Sequence, residues 1–226
     1  MDITAVGAML ADGNRARMLL ELLDGRALPA SELASRARIS RSLASMHLGK
    51  LEASGLVSVE PNGRHRYFRL ASADLAAALE ALASIAPPQK PRGGLREHSA
   101  HNALRYARSC YDHLAGELGV QVTGRLIELE SLEPVEGGFA VTPAGAELFD
   151  GLGIDLLALA RRHRAFCRAC LDWTERKNHV AGAVGAALLE HFFSRRLLRR
   201  HPSSRALLVT AEGRRVFETD WGIPVP

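Results

Sequence analysis

Ser40 stands directly before the run Arg41–Ala53, Gly55 stands just past its end, and a ribbon rich in strand-forming residues follows. Few folds accept that order. Ser40 has the side chain of a helix N-cap and Gly55 that of a helix stop. Two short helices separated by Arg38-Ile39-Ser40 form a helix-turn-helix, the first being ELASRA, with Ser31 as its cap and Pro29 as the turn residue before it. At helical spacing Leu33, Ala34, Ile39, Leu43, Ala44, Leu48 and Leu51 face inward. Arg41, Ser42, Ser45, Met46 and Lys50 are left outward. The ribbon LVSVEPNGRHRYFRL turns at Asn62-Gly63, a strong hairpin signal, and returns through Tyr67, Phe68 and Leu70. Arg64, His65, Arg66 and Arg69 lie on its tip and return arm. A helix over 14–23 precedes this unit, and an Ala/Leu-rich helix over Ala73–Ile85 closes it.

Composition fits that beginning. Of 226 residues, 47% are hydrophobic and 24% charged, enough apolar surface to offset ordering entropy and exclude a disordered chain. Aromatics are only 5%, which favours packed helices over a β-sandwich. The fold class expected is mainly α with small β-hairpin wings. No apolar run approaches the ~20 residues that span a bilayer, and the start lacks the basic head of a secretion signal, so a cytoplasmic location and no membrane partner are expected. Three cysteines, an odd number, argue against a disulfide framework. The net charge of +4 does not by itself imply a nucleic-acid partner.

Residues 86–97 (APPQKPRGGLRE) read as a linker, dividing a 1–85 domain from a 98–226 domain. The second domain repeats itself. HLAGELG at His113 recurs as HVAGAVG at His179, FAVTPAGAELF at Phe139 as LLVTAEGRRVF at Leu207, and Cys110-Tyr111-Asp112 as Cys170-Leu171-Asp172, with Trp173–Asn178 inserted. The two copies, about 98–153 and 154–226, each read as helix, helix, short hairpin, helix: the tail of a winged-helix module, paired about one shared core. Gly116, Gly119, Gly182 and Gly185 allow close packing.

A helix fits the DNA major groove, where small polar residues at its start approach base edges and basic residues meet phosphates. Ser40, Arg41, Ser42, Ser45, Met46, His47, Lys50, Arg64, His65 and Arg66 are the candidate contacts. His47 can alternatively pack at the helix–wing junction. Arg36 and Arg38 read as solvated charges. The stretch ISRSLASMHLGKLEASGLVSVEPNGRHRYFRL resembles the recognition helix and wing of the ArsR-type winged-helix repressors. S-M-H-L at Ser45–Leu48, A-S-G-L-V and G-R-H-R-Y-F-R-L carry that resemblance. It covers roughly residues 1–85. It implies a homodimer, built on the first and last helices of the domain, on palindromic double-stranded operator DNA. Gly49 departs from a good recognition helix. Two metal sites of that family find no match, because SELASRA has no cysteine and the helix over 73–85 has Asp74 but no histidine.

A sensor for a small-molecule or metal effector is therefore expected in the C-terminal repeats, which resemble an extension of some ArsR-type regulators. Cys110, Asp112 and His113, placed within one turn of a helix, and Cys170, Asp172 and His179 occupy matching places; Cys167 forms a CxxC with Cys170. Converging copies would offer sulfur and imidazole to Zn²⁺, Cu(I), haem iron or arsenite, or a redox pair. Core packing for the cysteines, with Asp112 and Asp172 paired to arginines such as Arg108 and Arg176, or an organic-effector pocket, is the alternative. No catalytic residues are assigned: phosphate-binding glycine loops, zinc-protease motifs and dinucleotide fingerprints are all missing. The competing readings are a protein-interaction adaptor, which need not keep the arginine ribbon bare of acids, and a thiol or metal enzyme.

Overall fold

Ser40 does cap the helix expected after it. In the computed structural model, which describes residues 3–63, 65–87 and 95–226, its Oγ accepts the Leu43 N–H at 3.2 Å and the helix runs Arg41–Ala53. Two compact units are present, residues 1–79 with 202–205 and residues 80–201 with 206–226.

In the first unit the order is α1 (Ile3–Leu10), α2 (Gly13–Glu21), a 3₁₀ turn (Leu22–Asp24), β1 (Leu28–Pro29), α3 (Ala30–Ala37), α4 (Arg41–Ala53), β2 (Val57–Asn62) and β3 (His65–Leu70); α5 (Ala73–Ile85) follows, and the division between the units falls within it, after Leu79. Asp12 caps α2, its Oδ1 accepting the N–H groups of Asn14 and Arg15. Ser31 does not cap α3. Strand pairing of Pro29 with Tyr67 holds the backbone extended up to Pro29, so the helix opens there and Ser31 falls in its first turn. Arg38 makes the turn between α3 and α4 in the left-handed region, φ 57°. The strands order as β1-β3-β2, and Asn62 pairs with His65, so the hairpin loop sits one place later than Asn62-Gly63. Arg64 lies outside the described residues, as does 88–94 of the expected linker.

Met18, Leu19, Leu22, Leu23, Leu33, Leu48, Leu51 and Leu70 are fully buried in this unit. Each such side chain contributes about 1.5–3 kcal/mol. Arg36 is not a solvated charge. Its side chain is 2% exposed and its guanidinium reaches Asp24, Glu21 and Glu32. Burial pushes the Glu21 carboxyl up even with Arg36 beside it.

The next helix, α6 (Leu95–Tyr106), starts within the linker expected over 86–97. Then come β4 (Arg108–Cys110), β5 (His113–Ala115), α7 (Glu117–Glu128), β6 (Leu132–Val135), β7 (Gly138–Val141) and α8 (Pro143–Gly151). After α9 (Leu156–Ala160) the same series returns as β8 (Arg168–Leu171), β9 (Asn178–Ala181), α10 (Gly182–Ser194), β10 (Leu198–Arg200), β11 (Leu207–Val209) and α11 (Ala211–Thr219). The order hairpin, helix, hairpin, helix thus occurs twice. A helix, α6 or α9, leads each series as expected, and a hairpin absent from the sequence reading stands between it and the next helix. Tyr111 reverses the chain at φ 58°, and Gly116 ends β5 at φ 85° with its Cα against the Arg105 and Tyr106 carbonyls, where a Cβ would sit 2.6 Å from oxygen. A helix cannot run through either conformation.

The two series exchange hydrogen bonds. Gly138 of β7 pairs with Arg168 of β8, and Phe139 N–H donates to Cys167 O at 3.0 Å. The counterpart is an Arg108–Ala206 bridge with Leu207 N–H donating to Ala107 O at 2.8 Å. Each second hairpin therefore bonds the first hairpin of the other series. Thr142 and Thr210 cap α8 and α11 alike, accepting from Gly145 and Gly213. One hydrophobic cluster runs through both, including Leu118, Leu126, Phe149, Leu188, Phe192 and Phe217. Among the described residues no helix is long and apolar enough to cross a membrane.

Candidate nucleic-acid interface and metal centre

Helix α4 presents Arg41, Ser42, Ser45, Met46, Gly49 and Lys50 as an exposed face, with Ser40 exposed at its head. Ala44, His47, Leu48 and Leu51 form the buried face. His47, a candidate phosphate contact, is thus turned inward, 3% exposed, with Nε2 3.9 Å from Asp12 Oδ1. It follows Met46 by about 100° of helix rotation, which carries it onto the side of Ala44 and Leu48.

Beside α4, a groove is lined by Ser45, Gly49, His65, Arg66 and Phe68. Arg66 is exposed and donates to both oxygens of Glu52 at 2.7 and 2.8 Å, while its guanidinium lies 5.3 Å from the Phe68 ring. Arg69 pairs with Glu60 at 2.7 Å. The ribbon is therefore not bare of acids, because its arginines brace it against α4 and across its own strands. At Gly49 a Cβ would meet nothing within 4 Å. Gly49→Ala is expected to stabilise the first unit by about 1 kcal/mol through helix propensity alone. Thermal melting of the variant checks this, and a lowered midpoint would contradict it.

In the second unit the cysteines and histidines sit on hairpins, not within a helical turn. Cys110 faces His113 across β4–β5, and Cys170 faces His179 across β8–β9. The inserted residues after Asp172 lengthen the second loop without changing that register, since Leu171 still pairs with Asn178. The ligand atoms of Cys110, His113, Cys170 and His179 all lie within 4.8 Å of one another, and all four residues are buried. The two sulfurs are 3.9 Å apart and the two Nε2 atoms 3.1 Å apart.

Carboxylates stand behind both imidazoles. Asp112 Oδ1 lies 3.4 Å from His113 Nδ1, and Asp172 Oδ2 lies 3.9 Å from His179 Nδ1. Neither carboxylate belongs to the ligand group, contrary to the sequence expectation. Asp112 is taken up by Arg164 at 2.6 Å. Asp172 accepts from Arg108 and from Gly116 N–H, both at 2.7 Å, and from Thr174 and Glu175 through its other oxygen. Trp173 stacks on the Arg108 guanidinium at 4.5 Å. Both acids do pair with arginines, but not with the nearby ones expected: Arg108 crosses to Asp172, and Arg176 donates to the Ser84 carbonyl. Arg164 as the partner of Asp112 was missed; its place in the run Arg161–Arg164 gave no periodic signal. Cys167 also stands outside the group, in the hydrophobic core, with its thiol pushed up to about 12 by burial.

Electrostatics separate the remaining groups. The Cys170 thiol is pulled far down, first by the Cys110 thiol and then, against burial, by both imidazoles. Burial dominates at His179 and lowers it. At His113 burial is opposed and outweighed by Asp112 and Cys170, which raise it. Asp172 is held below the usual carboxylate range, burial being overcome by Arg108 and the Thr174 and backbone donors. Two sulfurs and two imidazole nitrogens thus stand side by side in a buried pocket, the donor set of a soft or borderline metal ion.

Comparison with known proteins identifies the family. Residues 10–60 match a helix-turn-helix domain family model. The chain is 43% identical over 224 residues to the uncharacterized HTH-type transcriptional regulator YdfF of Bacillus subtilis, covering 99% of each chain. It is 39% identical over 83 residues to the HTH-type transcriptional regulator CmtR of Mycobacterium bovis, covering 37% of this chain and 70% of that protein. A solution structure of the cadmium metal-sensor CmtR from Mycobacterium tuberculosis is 35% identical, spans 41% of this chain and 99% of its own, and superposes with a TM-score of 0.33.

Proposed function

The chain belongs to the HTH-type transcriptional regulators, and from that membership we propose that it binds duplex operator DNA as a homodimer, with its signal received by the Cys/His group of the second unit. The observation that carries the reading is the exposed face of Arg41, Ser42, Ser45, Met46 and Lys50 on α4, flanked by His65 and Arg66. Ser40 stands exposed at the start of that helix, the end that favours an anion. Arg64, next to His65 in sequence, stays a candidate contact on the sequence alone.

Dimerisation through α1 and α5 is supported by exposed apolar side chains. Ile3 and Val6 on α1, and Leu82 and Ile85 on α5, are exposed, and no residue of α1 is buried. The names of the relatives are those of regulators, in keeping with a non-enzymatic chain.

Anisotropy titration of the full chain against fragments of its own promoter tests the DNA reading. Affinity should fall steeply as salt rises, because phosphate contacts release counterions. Arg41→Ala is expected to cost about 1–3 kcal/mol on the specific site and little elsewhere. Arg66→Ala should weaken specific and non-specific DNA alike, reducing the salt slope by about one. Binding that ignores salt, or two variants indistinguishable from the parent, would overturn the assigned surface.

A further inference from the structure

We propose that Cys110, His113, Cys170 and His179 form a closed, tetrahedral site for a single divalent ion of the zinc class, one Cys–His pair coming from each of the two hairpins β4–β5 and β8–β9. This names the signal for the second unit and rests on the regulator reading for its use; the site itself stands on separate geometry.

Three observations converge. A tetrahedral ion bonded to sulfur at about 2.3 Å and to nitrogen at about 2.0–2.1 Å sets a sulfur–sulfur edge of about 3.8 Å and a nitrogen–nitrogen edge of about 3.3 Å. The structure has 3.9 Å and 3.1 Å. These two edges match one small ion, and the sulfur–nitrogen separations, none beyond 4.8 Å, would draw in to about 3.6 Å around it. A porphyrin does not fit within a group whose atoms all lie inside 4.8 Å.

The second observation is the direction of the imidazoles. Each histidine turns Nδ1 toward a carboxylate, Asp112 or Asp172, and Nε2 toward the other histidine. With both Nδ1 atoms protonated toward the acids, two Nε2 lone pairs meet in a buried space, where a cation between them removes the repulsion. His179 Nδ1 makes no hydrogen bond, and at 3.9 Å from Asp172 a small turn of its ring would close one.

The third is the way the neighbouring donors are withheld. Asp112 and Asp172 are engaged by Arg164 and Arg108, and Cys167 lies in the core. The ligand set is therefore two sulfurs and two nitrogens, all on buried residues, with no fifth protein group among the described residues. That is the pattern of a structural or sensory zinc site, whereas a catalytic one keeps a position open. Because each hairpin supplies half the ligands, the ion cross-links the two series.

The full chain, stripped with a chelator and titrated with Co²⁺ alone, tests this. One equivalent should give the intense visible absorption of tetrahedral cobalt together with thiolate-to-cobalt charge transfer, and Zn²⁺ should abolish both. Cys110→Ser and Cys170→Ser should each remove most of the charge-transfer band, while Cys167→Ser leaves it intact. Asp112→Asn should weaken affinity about 10–100-fold without altering the band shape, as loss of a group behind a ligand does. Weak octahedral absorption by the unaltered chain, which depends on no variant folding, overturns the site, and so does loss of the band in Cys167→Ser. An operator titration with and without Zn²⁺ reads the signalling role separately: a tetrahedral spectrum with unchanged operator affinity confirms the site and refutes the sensor reading.

Discussion

Asp172→Ala is expected to destabilise the second unit by about 3–5 kcal/mol, the cost of leaving a buried charge without its partner. Both side chains of the Arg108–Asp172 pair are 0% exposed, and Asp172 also accepts the Gly116, Thr174 and Glu175 N–H groups. Its removal strips one guanidinium of its counter-charge and several backbone donors of their acceptor at once. Asp112→Ala serves as the comparison. The Asp112–Arg164 pair is about a third exposed on each side, and an ion pair so wetted contributes about 0–1 kcal/mol. Urea unfolding of the metal-stripped chain should therefore place Asp172→Ala far below the parent and Asp112→Ala close to it. Equal midpoints for the two variants would refute the ranking.

Gly145→Ala and Gly213→Ala form the second pair. Each glycine lies two residues into a threonine-capped helix, and a Cβ on it would overlap a backbone carbonyl oxygen, of Ser131 and Leu197 respectively. Backbone gives way less readily than a side chain, so each substitution should cost about 1–3 kcal/mol or more. Because the two positions are equivalent, the losses should be alike. Gly124→Ala in α7 is the control: nothing stands within 4 Å of its Cβ, and alanine should gain about 0.5–1 kcal/mol there. Thermal or denaturant unfolding reads all three. A neutral Gly213→Ala alongside a damaging Gly145→Ala would break the equivalence.

The winged helix was legible because its signals are local. Ser40, Gly55 and the apolar spacing of Leu43, Leu48 and Leu51 each act within a few residues, and α4 and α5 keep the bounds read from sequence. The matching blocks in the second domain were legible as well, and they brought Cys110, His113, Cys170 and His179 under consideration together. Their secondary structure was not. Arg108–Cys110 and His113–Ala115 are three-residue strands, too short for alternation to show, and what makes them strands is the bend at Tyr111 and pairing with residues far along the chain. The same distance effect hid Arg36, whose partner Asp24 lies on a preceding 3₁₀ turn, and turned His47 inward. Asp112 and Asp172 looked like ligands by proximity in sequence; which acids stay free to bind an ion depends on where Arg164 and Arg108 end up.

The crossed hydrogen bonding of β7 with β8, and of β4 with the start of β11, makes the order of synthesis matter. When residues 98–153 have left the ribosome, β4 and β7 still have open edges whose partners have not yet been made. That half cannot settle until nearly the last strand emerges. Severing the chain between Gly153 and Asp155 should yield two pieces that stay unstructured apart and assemble when mixed, a complementation that two autonomous modules would have no need of.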